Sequence, residues 1–204
     1  ARALIAAAER EGRVRSARAF ANPAEAQQVW AVRETALGAT SFVPGEGKNW
    51  EGWEDAAVRP DQLGDYLRSL RALMAEYGYT GSLYGHFGHA CVHTRINFDL
   101  KTTEGIAKYR RFVETAADLV VRFGGSLSGE HGDGQSRAEL LPRMFGPELI
   151  QAFEEFKAVW DRRNRMNPGK LVRPFKLDEH LRMPQYHPPA VETHFAYPVE
   201  GSFQ

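Results

Sequence analysis

Four of the seven histidines in this 204-residue chain crowd into two short segments. "GHFGHACVH" carries His86, His89 and His93, and "SGEHGDG" carries Glu130 directly followed by His131. Imidazoles and carboxylates hold first-row cations and move protons near neutral pH. Two histidines and one carboxylate with an open fourth position form the donor set of a catalytic rather than a structural site for zinc, iron or manganese. The spacing of His86 and His93 matches no recognised pattern such as HExxH, so it does not by itself separate a metal pair from two ordinary histidines. His89 is read as a loop residue outside the donor set and Cys91 as a packed thiol. His131 is open to two readings, a base at a substrate proton or an exposed loop residue.

The elements that must position these groups are well punctuated. "NPAEAQQVWAVRETALG" offers Asn22 as a cap, Pro23 at the first helical position and Gly38 as a stop, which predicts a helix over 23–37. "EDAAV" before Pro60 reads as a short strand. Leu63, Tyr66, Leu67, Leu70, Leu73, Met74 and Tyr77 recur at helical spacing, with Asp61 as cap and Gly78 as stop. "TGSLYGH" and "CVHTRINFDL" read as two strands joined around Phe87 to Ala90. A helix over 103–123 follows, its stripe made by Ile106, Tyr109, Phe112, Val113, Ala116, Leu119 and Val120, and it ends at Gly124 and Gly125.

Strand, helix, strand, strand, helix, short strand is the order of a ferredoxin-like unit. The expected fold class is therefore α+β, an antiparallel sheet with helices packed on one face. A further helix from near Pro147 carries Leu149, Ile150, Phe153, Phe156 and Trp160, and the proline-punctuated stretch over 174–204 reads as an extended connector after a domain spanning 1–173.

Alternation along "CVHTRINFDL" sends Val92, Thr94, Ile96, Phe98 and Leu100 to the helix side, and Cys91, His93, Arg95, Asn97 and Asp99 to the other. That second face is either a solvated outer surface or the wall of a polar pocket. His86 ends the preceding strand, so antiparallel pairing brings its imidazole toward that of His93, and Glu130 lies close after the sheet's last short strand.

Composition narrows the classes. With 26 basic and 26 acidic residues the chain has no net field to recruit nucleic acid or anionic lipid. A single cysteine excludes an internal disulfide and a CxxC iron–sulfur cluster, and no apolar run reaches the length of a membrane span. These features lead us to expect a cytoplasmic location, with peripheral attachment to the inner membrane left open. The chain begins inside a helical pattern, "ARALIAAAER", without a start methionine, and is expected to be a piece of something longer. Its oligomeric state stays open, a homodimer included, because apolar residues covered by an absent domain would resemble a dimer interface.

"GHFGHACVH" resembles the histidine segment, and "GGSLSGEHGDG" the glycine-rich segment, of the C-terminal domain of FAD-linked oxidases, the family of D-lactate dehydrogenases, glycolate oxidase subunits and D-2-hydroxyglutarate dehydrogenase. "MNPGK" resembles that family's closing segment, and "WEGWEDAAV" with "SGEHGDGQSRAELLP" is similar to long bacterial members fused to an iron–sulfur module. The resemblance implies His86, His93 and Glu130 as ligands of a divalent metal, zinc foremost, and His131 as the base. It also implies Asn167 near the flavin and Arg33 of "WAVRE" on the substrate carboxylate.

The activity so implied is oxidation of a D-2-hydroxy acid to the 2-oxo acid with hydride transfer to FAD. No dinucleotide fingerprint occurs in the chain, so the FAD-binding domain is expected upstream and any iron–sulfur cluster in a downstream module. Many relatives have Asn where this chain has Arg95, and Gly-Asp-Gly-Asn where it has Gly88, His89, Ala90 and Cys91. The extra cation makes Arg95 a candidate for a second substrate carboxylate. Two other readings remain, a stand-alone zinc-dependent hydrolase using the same residues and a binding module without chemistry.

Overall fold

A computed structural model describes residues 2–181 apart from Arg13 and Glu46. They belong to two compact units, Ala1–Lys48 and Asn49–Gln204. The first unit holds α1 (Arg2–Arg10), α2 (Pro23–Glu34) and α3 (Ala36–Ser41). The Asn22 side chain accepts a hydrogen bond from the Ala24 amide, with Pro23 inside the first turn, as the capping pattern predicts. The helix stops three residues short of the expected end. The Thr35 hydroxyl donates back to the Ala31 carbonyl, a local competitor of the helical ladder, and Gly38 falls inside α3 instead of ending α2.

The second unit is built on β1 (Ala56–Ala57), α4 (Leu63–Glu76), β2 (Gly81–His86), β3 (Cys91–Ile96) and α5 (Thr103–Arg122). The sheet is antiparallel in the order β1-β3-β2, with Tyr84 opposite His93 and His86 opposite Cys91. On the outer side of β1, Ala57 bridges Ser126, so the expected last strand shrinks to one bridge that keeps the ferredoxin-like order. Helices α4 and α5 cover one face. Tyr66, Leu70, Phe112, Val113, Ala116 and Val120 are fully buried there, and Gly78 and Gly124 stop the two helices at positive φ. The cap of α4 differs from expectation: Gln62 precedes the helix with no side-chain cap, while Asp61 pairs with Arg59. Thr102 caps α5 through its hydroxyl oxygen, which accepts from the Gly105 amide.

Tyr79, Phe98, Tyr109 and Phe112 close one end of the core with edge-to-face ring pairs at centroid separations from 4.9 to 5.2 Å. Two further helices follow, α6 (Gly134–Arg137) and α7 (Leu141–Trp160). The last helix begins six residues before the expected start and breaks at Gly146 (φ 75°, ψ 167°), where Pro147 restarts it. Its residues Phe156 and Trp160 are exposed. The packed body continues past residue 173: Leu177 is buried, its amide donates to Glu139, and Asp178 pairs with Arg110 at 2.6 Å. Residues 182–204 of the expected connector lie outside the described residues.

Candidate metal and catalytic site

Strand register decides which histidines meet. Tyr84 and His93 are directly opposite one another, and His86 lies two positions beyond Tyr84 on the same face, at the strand end. The His86 and His93 rings approach to a centroid separation of 5.5 Å at 80°. The face expected to be either solvated or a pocket wall is buried along its first part and open beyond it: Cys91, His93 and Arg95 are buried, Asn97 is half-buried and Asp99 exposed. His93 is therefore the floor of the site, while the side chains of His86, Glu130 and His131 form a half-exposed rim.

Glu130 is delivered by the loop after Ser126, and a buried residue outside that loop fixes its path. Asp55 Oδ2 accepts from the Ser128 hydroxyl at 2.8 Å, the Glu130 amide at 3.0 Å and the His131 amide at 2.6 Å. Asp55 itself is wholly buried with φ 53°, a left-handed conformation that Asp tolerates better than most residues. Its charge is balanced by Arg137, whose Nη1 lies 2.9 Å from Asp55 Oδ1. The glycines have separate uses. Gly132 takes φ 87°, whereas a Cβ on Gly129 would come within 2.6 Å of the Ala57 Cβ, so Gly129 is needed for close approach to β1 and not for its own backbone angles.

Glu130 Oε2 is the meeting point. It lies 3.4 Å from His86 Nε2, 3.5 Å from His93 Nε2 and 4.0 Å from His131 Nε2. Ligand atoms about 2.0–2.1 Å from a tetrahedral cation sit about 3.4 Å apart. The described residues therefore fit a divalent metal held by His86 Nε2, His93 Nε2 and Glu130, and the half-exposed rim leaves a fourth direction open. His131 stacks on His93 with centroids 5.0 Å apart and a 10° interplanar angle, and its Nδ1 is 3.9 Å from Asp55 Oδ2.

Electrostatics suit this arrangement. Burial first, then the neighbouring His131, holds the His93 imidazole below its ordinary value of 6.5, keeping it neutral and free to coordinate near pH 7. Burial, with Asp55 and Glu130 nearby, pushes the Cys91 thiol up to about 11, which keeps it a packed thiol as expected. Burial alone would raise the Asp55 carboxyl, yet the His131 amide, Arg137, the Ser128 hydroxyl and the Glu130 amide together hold it below 3.8.

The structure thus brings His86, His93, Glu130 and His131 together. Arg95 is buried beside His93, with its guanidinium in an ion pair with Glu54. Asn167 lies on the exposed turn after α7, held at φ 49°. Arg33 lies on α2 of the first unit, half-buried on a helix whose Trp30 is exposed. Glu54, Asp55 and Arg137 were not legible as site residues. Their one signal is the adjacent acidic pair of "WEDAAV" at the entrance to an apolar strand, where buried charge must have a partner.

A histidine–carboxylate cluster lies on the face of the three-stranded antiparallel sheet turned away from α4 and α5, in a small α+β domain. The chain belongs to the family described as FAD linked oxidases, C-terminal domain, which matches residues 1–171. It is 36% identical over 154 residues to a D-2-hydroxyglutarate dehydrogenase of Pseudomonas putida, covering 76% of this chain and 15% of that protein. The corresponding Escherichia coli protein is 34% identical over 74% of this chain and 15% of its own length. A D-lactate dehydrogenase of Archaeoglobus fulgidus is 37% identical over 58% of this chain and 26% of its own length. The chain thus spans about a seventh of the length of its D-2-hydroxyglutarate dehydrogenase relatives. Among the described residues no helix is long and apolar enough to cross a membrane.

Proposed function

We propose that this chain is the substrate domain of a flavin-dependent oxidoreductase that oxidises a D-2-hydroxy acid of the lactate, glycolate or 2-hydroxyglutarate class to the 2-oxo acid, together with an FAD-binding domain. The observation that carries this reading is the convergence of His86 Nε2 and His93 Nε2 on Glu130 Oε2, at 3.4 and 3.5 Å, with His131 stacked on His93. Family membership supports FAD as the electron acceptor, and the relatives' names support the substrate class.

His86, His93 and Glu130 would hold a divalent cation, zinc foremost, through two neutral nitrogens and one carboxylate oxygen. When bound, such a cation supplies Lewis acidity that lowers the pKa of a chelated hydroxyl. His131 takes the hydroxyl proton on an imidazole whose ring is fixed against His93 and whose backbone amide is anchored on Asp55. A flavin bound by the partner domain would supply the acceptor for the C2 hydride that leaves as His131 takes the hydroxyl proton. Arg33 would pair with the substrate carboxylate and Asn167 would approach the flavin, roles taken from the family resemblance. Arg95 has no place among these contacts, since it is spent on Glu54.

Stopped-flow reduction of the flavin in the full-length protein tests this reading. D-2-hydroxyglutarate, D-lactate or glycolate should bleach the flavin absorbance and give the 2-oxo acid. Absence of reduction by all three, with hydrolysis of an ester or amide by the zinc-loaded protein, would replace it with the hydrolase reading.

A further inference from the structure

His93 is held from two sides. Its Nε2 faces Glu130 Oε2 at 3.5 Å, and its buried Nδ1 faces Glu54 Oε1 at 3.3 Å. That Nδ1 has no aligned hydrogen-bond partner among the described residues, so the Glu54 carboxylate is the group placed to satisfy it. A buried imidazole can present only one nitrogen to a cation, and the group bonded to its other nitrogen selects which. Glu54 is itself buried and would be a costly lone anion, but the Arg95 guanidinium is paired with its other oxygen. The same surroundings contain a competing cage: Glu54, His93 and His131 also offer donor atoms within 4.8 Å of one another.

We infer that Glu54, neutralised by Arg95, is a positioning residue that accepts from His93 Nδ1–H, and so commits His93 Nε2 to the cage with His86 and Glu130 and keeps metal out of the alternative one. The inference rests on the metal reading proposed above and assigns Arg95 a purpose that substrate binding does not. Glu54 Oε1 accepts the hydrogen bond from the imidazole N–H while Glu54 Oε2 is paired with Arg95, so both oxygens are engaged away from the cation. Arg95 holds that carboxylate from the same strand as His93, two residues along, which ties both partners to one rigid element.

Zinc affinity of the full-length protein, measured by competition with a chromogenic chelator, tests the inference. Glu54→Ala should weaken zinc binding about 10–100-fold. Glu54→Gln, which keeps a carbonyl oxygen to accept from Nδ1–H, should recover most of that loss. Because Glu54→Ala leaves Arg95 buried without a counter-charge, the double variant Glu54→Ala/Arg95→Met is measured alongside and should show the same weakening in a protein with parental near-ultraviolet circular dichroism. Parental affinity in the double variant, with zinc binding abolished by Glu130→Ala, would overturn the positioning role and leave the metal reading standing. Parental affinity in Glu130→Ala would instead overturn the metal reading. Zinc lost in Glu54→Ala but retained in Glu130→Ala would make Glu54 a ligand, and the positioning role would fall.

Discussion

The His131 amide donates to Asp55 Oδ2 at 2.6 Å, tying the candidate base to a residue 76 positions earlier in the chain. Asp55 thereby holds the Glu-His dipeptide in place while Arg137 balances its charge. Replacing Asp55 with Ala leaves Arg137 buried without its counter-charge and frees three loop donors, a loss on the order of 3–5 kcal/mol in chemical denaturation. Hydrogen exchange at the Glu130 and His131 amides should accelerate in Asp55→Asn, which keeps the shape of the side chain but not its charge. Unchanged protection at those amides would show that the loop holds itself.

His131 differs from its neighbour in having no place in the three-donor cage with His86. His131→Asn should therefore retain zinc while lowering kcat about 10²–10⁴-fold, the usual contribution of a general base. A variant that loses metal and activity together would place His131 among the ligands.

Arg95 is buried against Glu54, and we expect that pair, rather than a second substrate carboxylate, to hold its guanidinium. Arg95→Met should leave the ratio of kcat/KM for D-2-hydroxyglutarate and D-lactate within about twofold of the parent while lowering thermal stability. A shift in that ratio of about tenfold, equal to about 1.4 kcal/mol, would return Arg95 to the substrate pocket.

Ligand binding to the folded state alone stabilises it by about 2.7 kcal/mol when the free ligand is one hundred times its Kd. Saturating zinc should accordingly raise Tm, chelator should reverse the shift, and Glu130→Ala should abolish it. A Tm insensitive to zinc in the parent would leave the cage without a metal.

Asp161 closes the turn after α7, where it accepts from Lys157 Nζ and from the Arg165 and Met166 amides. The Lys157 side chain first, then these amides, hold its carboxyl down at about 2 from an ordinary 3.8. A lowered folded-state value means that its stabilisation is fully present above pH 3.8 and is lost as pH falls through about 2. Amide exchange in residues 161–166 should rise across that interval, and Asp161→Asn should remove the pH dependence.

The elements were largely legible in the sequence because each carries local instructions. The stripe from Tyr66 to Met74, the glycine stops at 78 and 124, and the alternation of β3 act through nearest neighbours and one apolar face. His86, His93, Glu130 and His131 were likewise legible, since their side-chain chemistry and family motifs are written in short segments. The end of α2 was not, because the Thr35 hydroxyl outcompeted a glycine signal three residues on.

What the sequence determined by itself is the set of chemical groups and the strands and helices that carry them. Tertiary structure decided what each group faces. Alternation puts His93 and Arg95 on one side of β3, but it cannot say whether water or a second layer covers that side. Packing of "WEDAAV" and the 128–137 segment over it buries Cys91, His93 and Arg95, with Glu54 set against both His93 and Arg95. Buried charge requires a counter-charge, and partners 41 residues apart, as Glu54 and Arg95 are, become neighbours only when the sheet closes.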